Sequence, residues 1–242
     1  MKSTRVSGLT TSSVSRGRLI TFSVLALILA LIASADFVSH AADFVAPHRI
    51  HVIGHEIVSA WIIVAAASQL RASWRRIAGV QQLFVIFIGA LLADALSNRF
   101  SGLGVLLIFA IALGALHPER KNLFKPGKRM SPLLVSIAIL GAIPLLTFAE
   151  SEFTKQRLLI EPIHADLGHW EWMATLAMLI VLLAVLTAVK TPGWRLPAWS
   201  TGLGAFVFGL ASVIFTGEVG KLRVVVLPGV WSPFAAGWSS SR

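Results

Sequence analysis

The sequence predicts an all-α polytopic integral membrane protein with seven transmembrane helices, a cytoplasmic N-terminus and an extracytoplasmic C-terminus. Its composition is the first reason: 56% of its 242 residues are hydrophobic and 13% are charged, where a soluble domain has roughly 45–50% and about 25%. The second reason is the presence of seven apolar segments, and the third is a separation of charge along the chain. Of 21 Lys and Arg residues, 14 lie in the N-terminal tail and alternate loops, whereas every acidic residue except Glu119 lies on the other side of the segments.

A helix crosses the membrane with about 20 apolar residues, because the hydrocarbon core is about 30 Å thick and each residue rises 1.5 Å. Seven segments approach this length: 19–35, 51–70, 77–96, 101–116, 132–149, 168–189 and 196–216. Basic residues cluster before the first segment and then in every second loop: Lys2, Arg5, Arg16 and Arg18; Arg71, Arg75 and Arg76; Arg120, Lys121, Lys125, Lys128 and Arg129; and Lys190 and Arg195. The positive-inside rule places these clusters in the cytoplasm.

The transmembrane domain accordingly covers residues 19–216, between a basic cytoplasmic tail at 1–18 and an extracytoplasmic or interfacial tail at 217–242. The stretch 224–238 is apolar but short, and Pro228 and Pro233 interrupt it, so it is predicted to lie at the outer interface. The first segment has a second interpretation, because Ala33-Ser34-Ala35 after a basic start and an apolar stretch resembles a signal-peptide cleavage site. Cleavage would leave six spans without changing the topology downstream.

The residue types also exclude several kinds of chemistry and partner. There is no Cys, which excludes disulfides, thiolate metal sites, Fe–S clusters and cysteine nucleophiles. The net charge of +10 would suggest nucleic acid in a soluble protein, but these basic residues lie beside apolar segments and form no patch interleaved with aromatics. The predicted partners are the lipid bilayer and membrane-protein subunits, with no nucleic acid, and the predicted location is the cell (plasma) membrane.

The second segment carries the first group of candidate site residues. His51 and His55 are four residues apart, so their rings project from one face of a helix and can share a metal or relay protons. Glu56 lies two turns below the outer surface, where a charge costs roughly 2.5–3.5 kcal/mol on insertion scales, and it therefore needs a partner, a cavity or a metal, or is protonated. The alternative is that the histidines are interfacial and that Glu56 pairs with Arg49 or Arg99.

A short repeat precedes this segment. Residues 35–40, Ala-Asp-Phe-Val-Ser-His, are echoed by residues 42–48, Ala-Asp-Phe-Val-Ala-Pro-His. The second copy ends at His48, one turn before His51, although Pro47 makes a helix there uncertain.

The third and sixth segments carry the other candidates. Asp94, at the outer end of the third segment, can meet the histidines of the second if the two helices are neighbours; alternatively it pairs with Arg99 or Asn98. The sixth segment opens with the densest polar stretch of the chain, residues 161–172. Within it, His164 and His169 are five residues apart and do not share a helix face, so they act together only if His164 belongs to the preceding loop. Asp166 can also be a plain helix N-cap.

These residues predict a site at the outer ends of the second, third and sixth segments. In one interpretation a divalent metal ion is bound by His51, His55, Asp94, His164 and His169, with Glu56 and Glu171 as catalytic base or further ligand. In another, His55 and His169 are the axial ligands of a b-type haem. The remaining interpretations are a proton or cation path and a non-enzymatic accessory or assembly subunit.

No complete catalytic signature accompanies these residues. His55-Glu56 is followed by Ile57, Val58 and Ser59, so it is not the start of an H-E-x-x-H motif. The seventh segment has neither the His pair of the seven-helix ceramidase and adiponectin-receptor hydrolases nor the retinal-binding lysine of microbial rhodopsins. The sequence therefore predicts the location of a site, at the outer ends of the second, third and sixth segments, but does not identify a reaction or a substrate.

Overall fold

The described part of the chain is helical throughout. The computed structural model describes residues 15–45, 48–71, 76–125, 127, 130–218 and 220–222, of which 79% are helical and none forms a strand. The predicted position of residues 224–238 lies outside this part. The helices are α1 (Arg16–Ala41), α2 (Arg49–Ser68), α3 (Ile77–Ser97), α4 (Leu107–Leu116), α5 (Pro132–Arg157), α6 (Pro162–Asp166), α7 (His169–Val189) and α8 (Arg195–Ile214), with single 3-10 turns at Leu103–Leu106 and Arg120–Asn122.

Six of these helices, α1, α2, α3, α5, α7 and α8, are long and apolar enough to cross a membrane. The prediction of an all-α membrane bundle is therefore confirmed. The fourth predicted segment differs, because it forms a helix of only 14 residues, Leu103–Leu116. Such a helix is about 21 Å long, which is less than the hydrocarbon thickness.

Helix α7 lies at the centre of the bundle and packs against α2, α3, α5 and α8. Most of its apolar residues are buried, among them Leu176, Leu179 and Leu183. Helix α5, in contrast, is exposed along one face at Leu133, Ile137, Leu140 and Ile143. A continuous exposed apolar face is the surface that a peripheral helix presents to lipid.

Helix α1 continues without a break through Ala33 and Ala35, the predicted signal-cleavage site, and ends at Ala41. Phe22, Ala26 and Leu29 on its inner face are buried. Near its start, the Arg18 guanidinium donates hydrogen bonds to the carbonyl oxygens of Leu116 (2.9 Å) and His117 (2.5 Å) at the end of α4. The helix is thus packed into the bundle along its length.

Helix α5 extends further than the sequence predicts. The fifth segment was predicted to end at residue 149, but the helix continues through residues 150–157 and ends at Arg157. Two features stabilise this extension: Phe153 and Gln156 are buried, and Lys155 forms an ion pair with Glu152 one turn earlier (2.5 Å). Such pairs stabilise a polar helical turn beyond the apolar segment. Because the helix extends to Arg157, the loop before α6 is short.

Hydrogen bonds join the helix ends at the two opposite ends of the bundle. At one end, Ser131 at the start of α5 donates to Ala188 near the end of α7, and Ala78 of α3 donates to Pro192. At the opposite end, Gln156 of α5 donates to Ala165 of α6. Six of the seven histidines, all except His117, belong to the helix ends and connections at this second end: His40, His48, His51, His55, His164 and His169.

Candidate metal centre

A break between α6 and α7 determines how the sixth segment presents its polar residues. Helix α6 is a single turn, and α7 begins at His169 after Gly168, whose φ of 73° lies in the left-handed region that favours glycine. His164 and His169 therefore belong to different elements, and their ring centroids lie 5.3 Å apart. Asp166 is not the N-cap of α7, since that position is occupied by Gly168; its carbonyl accepts a hydrogen bond from Arg99.

Four histidines converge at this break, and we call them the four-histidine cluster: His48, His51, His164 and His169. The centroid of the His169 ring lies 4.4 Å from that of His51, on which it stacks, and 4.9 Å from that of His48. The His164 ring lies 5.4 Å from His48 and 5.5 Å from His51. Potential ligand atoms of His48, His164 and His169 all lie within 4.8 Å of one another, so these three side chains can hold one metal ion.

Five of the eight ring nitrogens of the cluster are buried and unpaired. His48 Nδ1, both nitrogens of His51, His164 Nε2 and His169 Nδ1 have no hydrogen-bond partner among the described residues. Buried polar atoms are normally satisfied, because leaving one unpaired costs about 1–3 kcal/mol. A metal ion bound among these five atoms would satisfy several of them at once.

Glu161 provides the outer support expected of a metal-binding histidine. One of its carboxylate oxygens lies 3.3 Å from His164 Nδ1, which leaves His164 Nε2 facing the cluster. In metal sites, a carboxylate on the far nitrogen fixes the tautomer and the orientation of the ring. Burial lowers the pKa of the His164 imidazole below its ordinary value of 6.5; Glu161 opposes this effect and His48 adds to it. The neutral form, which binds metal, is therefore favoured.

Metal binding by this cluster should persist to a pH below 6.5. A histidine whose pKa is lowered by folding stabilises the folded state above its unfolded pKa, and this contribution is lost as the pH falls toward the folded pKa. Because the pKa of His164 lies below 6.5, protons compete with a metal for His164 less strongly than they do for an ordinary imidazole. Trp170 stacks on His164 at 5.3 Å, so Trp170→Ala, which exposes the ring, should raise the pH at which half the metal is released. Co²⁺ absorbance measured against pH gives the midpoint of metal release for the wild type and for Trp170→Ala. A wild-type midpoint above 7, or the same midpoint in the variant, would contradict this account.

The segment that follows α8 covers one side of the cluster, next to His51. A Cβ added to Gly220 would lie 2.5 Å from Cε1 of His51, so only glycine fits against this ring. Glu218 holds the segment in place, because its carboxylate pairs with Arg49 (2.6 Å) and accepts the backbone N–H of Ile50. The stretch predicted as a tail from residue 217 thus contributes to the site.

His55 lies in a different group from the four-histidine cluster. Its ring stacks on His40 at 3.8 Å and meets the edge of Trp172 at 4.5 Å. His55 and His169, the predicted axial ligands of a haem, are thus not brought together as a pair. A haem held by this pair therefore stays a prediction without a supporting contact among the described residues.

The carboxylates named from the sequence lie apart from the four-histidine cluster. Asp94 accepts hydrogen bonds from the backbone N–H (3.1 Å) and the hydroxyl (2.6 Å) of Ser101. Glu171 is buried and pairs with Arg99 at 3.1 Å. Both oxygens of Glu56 are buried without a hydrogen-bond partner among the described residues, next to His55. The structure therefore places none of the three as a ligand of the cluster.

Sequence reasoning named His51, His164 and His169 but did not commit to His48, His40 or Asp36. The short repeat is the signal that could have identified them. Its first copy contains Asp36 and His40, which contact His55, and its second copy ends at His48, which completes the four-histidine cluster. Comparison of the chain with protein-family models, with curated proteins and with solved structures finds no match.

Proposed function

We propose that this chain is a metal-binding multi-pass membrane protein whose principal site is the four-histidine cluster. His48, His164 and His169 are the ligands, and His51 lies beside the remaining coordination position. The observation that supports this most directly is the convergence of buried, unpaired ring nitrogens from α2, α6 and α7.

The donor set determines which metals suit the site. Imidazole nitrogens bind Zn²⁺, Cu²⁺, Ni²⁺ and Fe²⁺, whereas Mg²⁺ and Ca²⁺ require oxygen ligands. Three histidines with one open position resemble catalytic rather than structural zinc sites, which have four protein ligands. A divalent ion bound there would act as a Lewis acid toward a water or a substrate oxygen, and the His51 ring, stacked on His169, lies beside that position.

Metal analysis of the detergent-purified full chain tests this proposal. The apoprotein, prepared with a chelator, is titrated with Co²⁺, and visible absorption reports coordination by nitrogen ligands. We expect the wild type to bind Co²⁺ tightly and His164→Gln to lose that binding by at least about 100-fold, since even outer-shell changes cost 10–100-fold. His117→Gln, at the opposite end of the bundle, is the matched control. Wild-type protein without such binding, or full binding by His164→Gln, would overturn the proposal and favour a transport or accessory role.

We also propose that the chain crosses the plasma membrane seven times, with the N-terminus inside and the C-terminus outside. The contacts around the short fourth segment support this. Its start at Ser101 bonds to Asp94 at one end of α3, and beyond its end Leu123 accepts a hydrogen bond from Gln81 near the other end of α3 (2.5 Å). Residues 117–123 thus supply the length that the 14-residue helix lacks.

Single cysteines in this Cys-free chain report the topology directly. Phe100 and Phe124 flank the fourth segment, and both are exposed. In intact cells, a membrane-impermeant maleimide should label Phe100→Cys, whereas Phe124→Cys should react only after permeabilisation. Labelling of both from outside would show that the fourth segment does not cross. Wild-type protein is the blank, because it has no thiol.

A further inference from the structure

A second group of metal-ligating side chains lies where α1 meets α2. Asp36 and His40 are one turn apart near the end of α1, and His55 faces them from the second turn of α2. Potential ligand atoms of the three residues lie within 4.8 Å of one another. None of the three belongs to the four-histidine cluster.

We propose that Asp36, His40 and His55 form a second, exchangeable divalent-cation site. The inference does not depend on the four-histidine cluster, because it is drawn from different residues and a different donor set. Two imidazoles and one carboxylate, with further positions open to water, suit Zn²⁺, Co²⁺, Mn²⁺ or Fe²⁺.

The spacing of the donors supports metal coordination rather than direct hydrogen bonding. His55 Nε2 lies 3.5 Å from Asp36 Oδ2, which is longer than an ordinary hydrogen bond of about 2.7–3.2 Å. Neighbouring ligands of a tetrahedral ion with bonds of about 2.0–2.1 Å are separated by about 3.3 Å. The separation of the two atoms is close to that between neighbouring ligands of one ion.

Neighbouring groups fix the orientation of these donors. The Ser59 hydroxyl donates to Asp36 Oδ2 at 2.7 Å, and His40 Nδ1 bonds to the backbone carbonyl of Asp36 at 3.1 Å. Behind His55, its buried and unpaired Nδ1 faces a carboxylate oxygen of Glu56 at 3.9 Å. This distance is beyond hydrogen-bond range, so Ser59 and the Asp36 carbonyl are the groups that orient the donors.

Exposure distinguishes this site from the four-histidine cluster. The side chains of Asp36 and His40 are 42% and 44% exposed, whereas that of His55 is 8% exposed. One face of the site is therefore open and the other is anchored in the bundle, which allows an ion to enter and leave. His51 and His55 are one turn apart on α2, about 6 Å along the helix axis, so the second site lies beside the cluster.

A Co²⁺ titration of the full-length apoprotein, followed by calorimetry, separates the two sites. We expect wild-type protein to bind two ions. Asp36→Asn and His40→Gln should each weaken one binding event by at least about 100-fold, and Ser59→Ala, which only releases the carboxylate, by about 10-fold. Asp43→Asn is the matched control, because it removes the equivalent, exposed aspartate of the repeat.

The reciprocal variant keeps the two proposals distinguishable. His164→Gln should abolish Co²⁺ binding by the four-histidine cluster and leave the binding that depends on Asp36 unchanged. The inference is overturned if Asp36→Asn and His40→Gln, shown to be folded by size-exclusion chromatography, bind Co²⁺ with wild-type stoichiometry and affinity. A protein that binds one ion, lost in Asp36→Asn and kept in His164→Gln, would support this site and reject the four-histidine cluster.

Discussion

Replacing Arg99 with methionine is expected to destabilise the protein by about 3 kcal/mol. Glu171 is 2% exposed and forms an ion pair with Arg99, so removal of the guanidinium leaves this buried carboxyl group without its charged partner. Breaking a buried pair costs about 3–5 kcal/mol, and the lower value applies because the Arg99 side chain is 32% exposed. The guanidinium also donates to the Asp166 carbonyl and packs against Gly168, so it fastens the end of α3 to the break between α6 and α7.

Unfolding in mixed detergent micelles, titrated with SDS, measures this loss. Arg157→Met is the matched control, because Arg157 makes exposed hydrogen bonds to Leu96 and Thr154, and the expected change is below about 1 kcal/mol. The double variant Arg99→Met/Glu171→Met should recover most of the stability, since apolar replacement of a whole buried pair is often neutral. A wild-type unfolding curve for Arg99→Met would show that Glu171 is not charged in the folded protein.

His169→Gln is expected to lower the affinity of the four-histidine cluster for Co²⁺ by at least about 100-fold, or about 2.7 kcal/mol. The neighbouring acidic residue provides the matched comparison. Glu171 is two residues further along α7 and faces Arg99 rather than the cluster, so Glu171→Gln should leave Co²⁺ affinity within about threefold of wild type. The sequence treated both residues as site candidates, and this pair of variants separates them.

Thermal unfolding gives an independent measurement of the same difference. A ligand present at 100 times its Kd stabilises the folded state by about 2.7 kcal/mol. Wild type and Glu171→Gln should therefore both gain stability with Co²⁺, whereas His169→Gln should show no gain attributable to the cluster. Equal gains in all three proteins would mean that His169 is not a ligand, and loss in Glu171→Gln alone would assign the metal to the carboxylate.

Much of the fold was predictable, because membrane insertion depends on properties local to the chain. Six of the seven predicted segments are long apolar helices in the structure. The exceptions have physical causes that composition does not report. Helix α5 continues to Arg157 because an ion pair and two buried side chains support its polar last turns. The fourth segment is short as a helix because Gly102, in the left-handed region, delays its start to Leu103, and it ends at Leu116, before His117 leaves the helical conformation.

The candidate site was less predictable, because side chains from distant parts of the chain must meet there. Helical spacing placed His51 and His55 on one face of α2, and yet the two rings belong to different groups. His55 faces α1, where Asp36 and His40 lie, whereas His51 faces the break before α7. A difference of one helical turn thus changes the neighbouring helix, and spacing within a single helix cannot show which neighbour each turn meets.

Composition and charge pattern were enough to predict a bundle of membrane-type helices with most of its histidines and carboxylates at one end, because hydrophobicity and charge act segment by segment. Which of those groups meet depends on the tertiary structure. The left-handed backbone at Gly168 turns His164 toward His169, and Arg99 neutralises Glu171 away from the histidines. The contacts of α1 and α7 with α2 then divide the histidines into two groups, since packing between helices depends on the shape and rotation of whole elements.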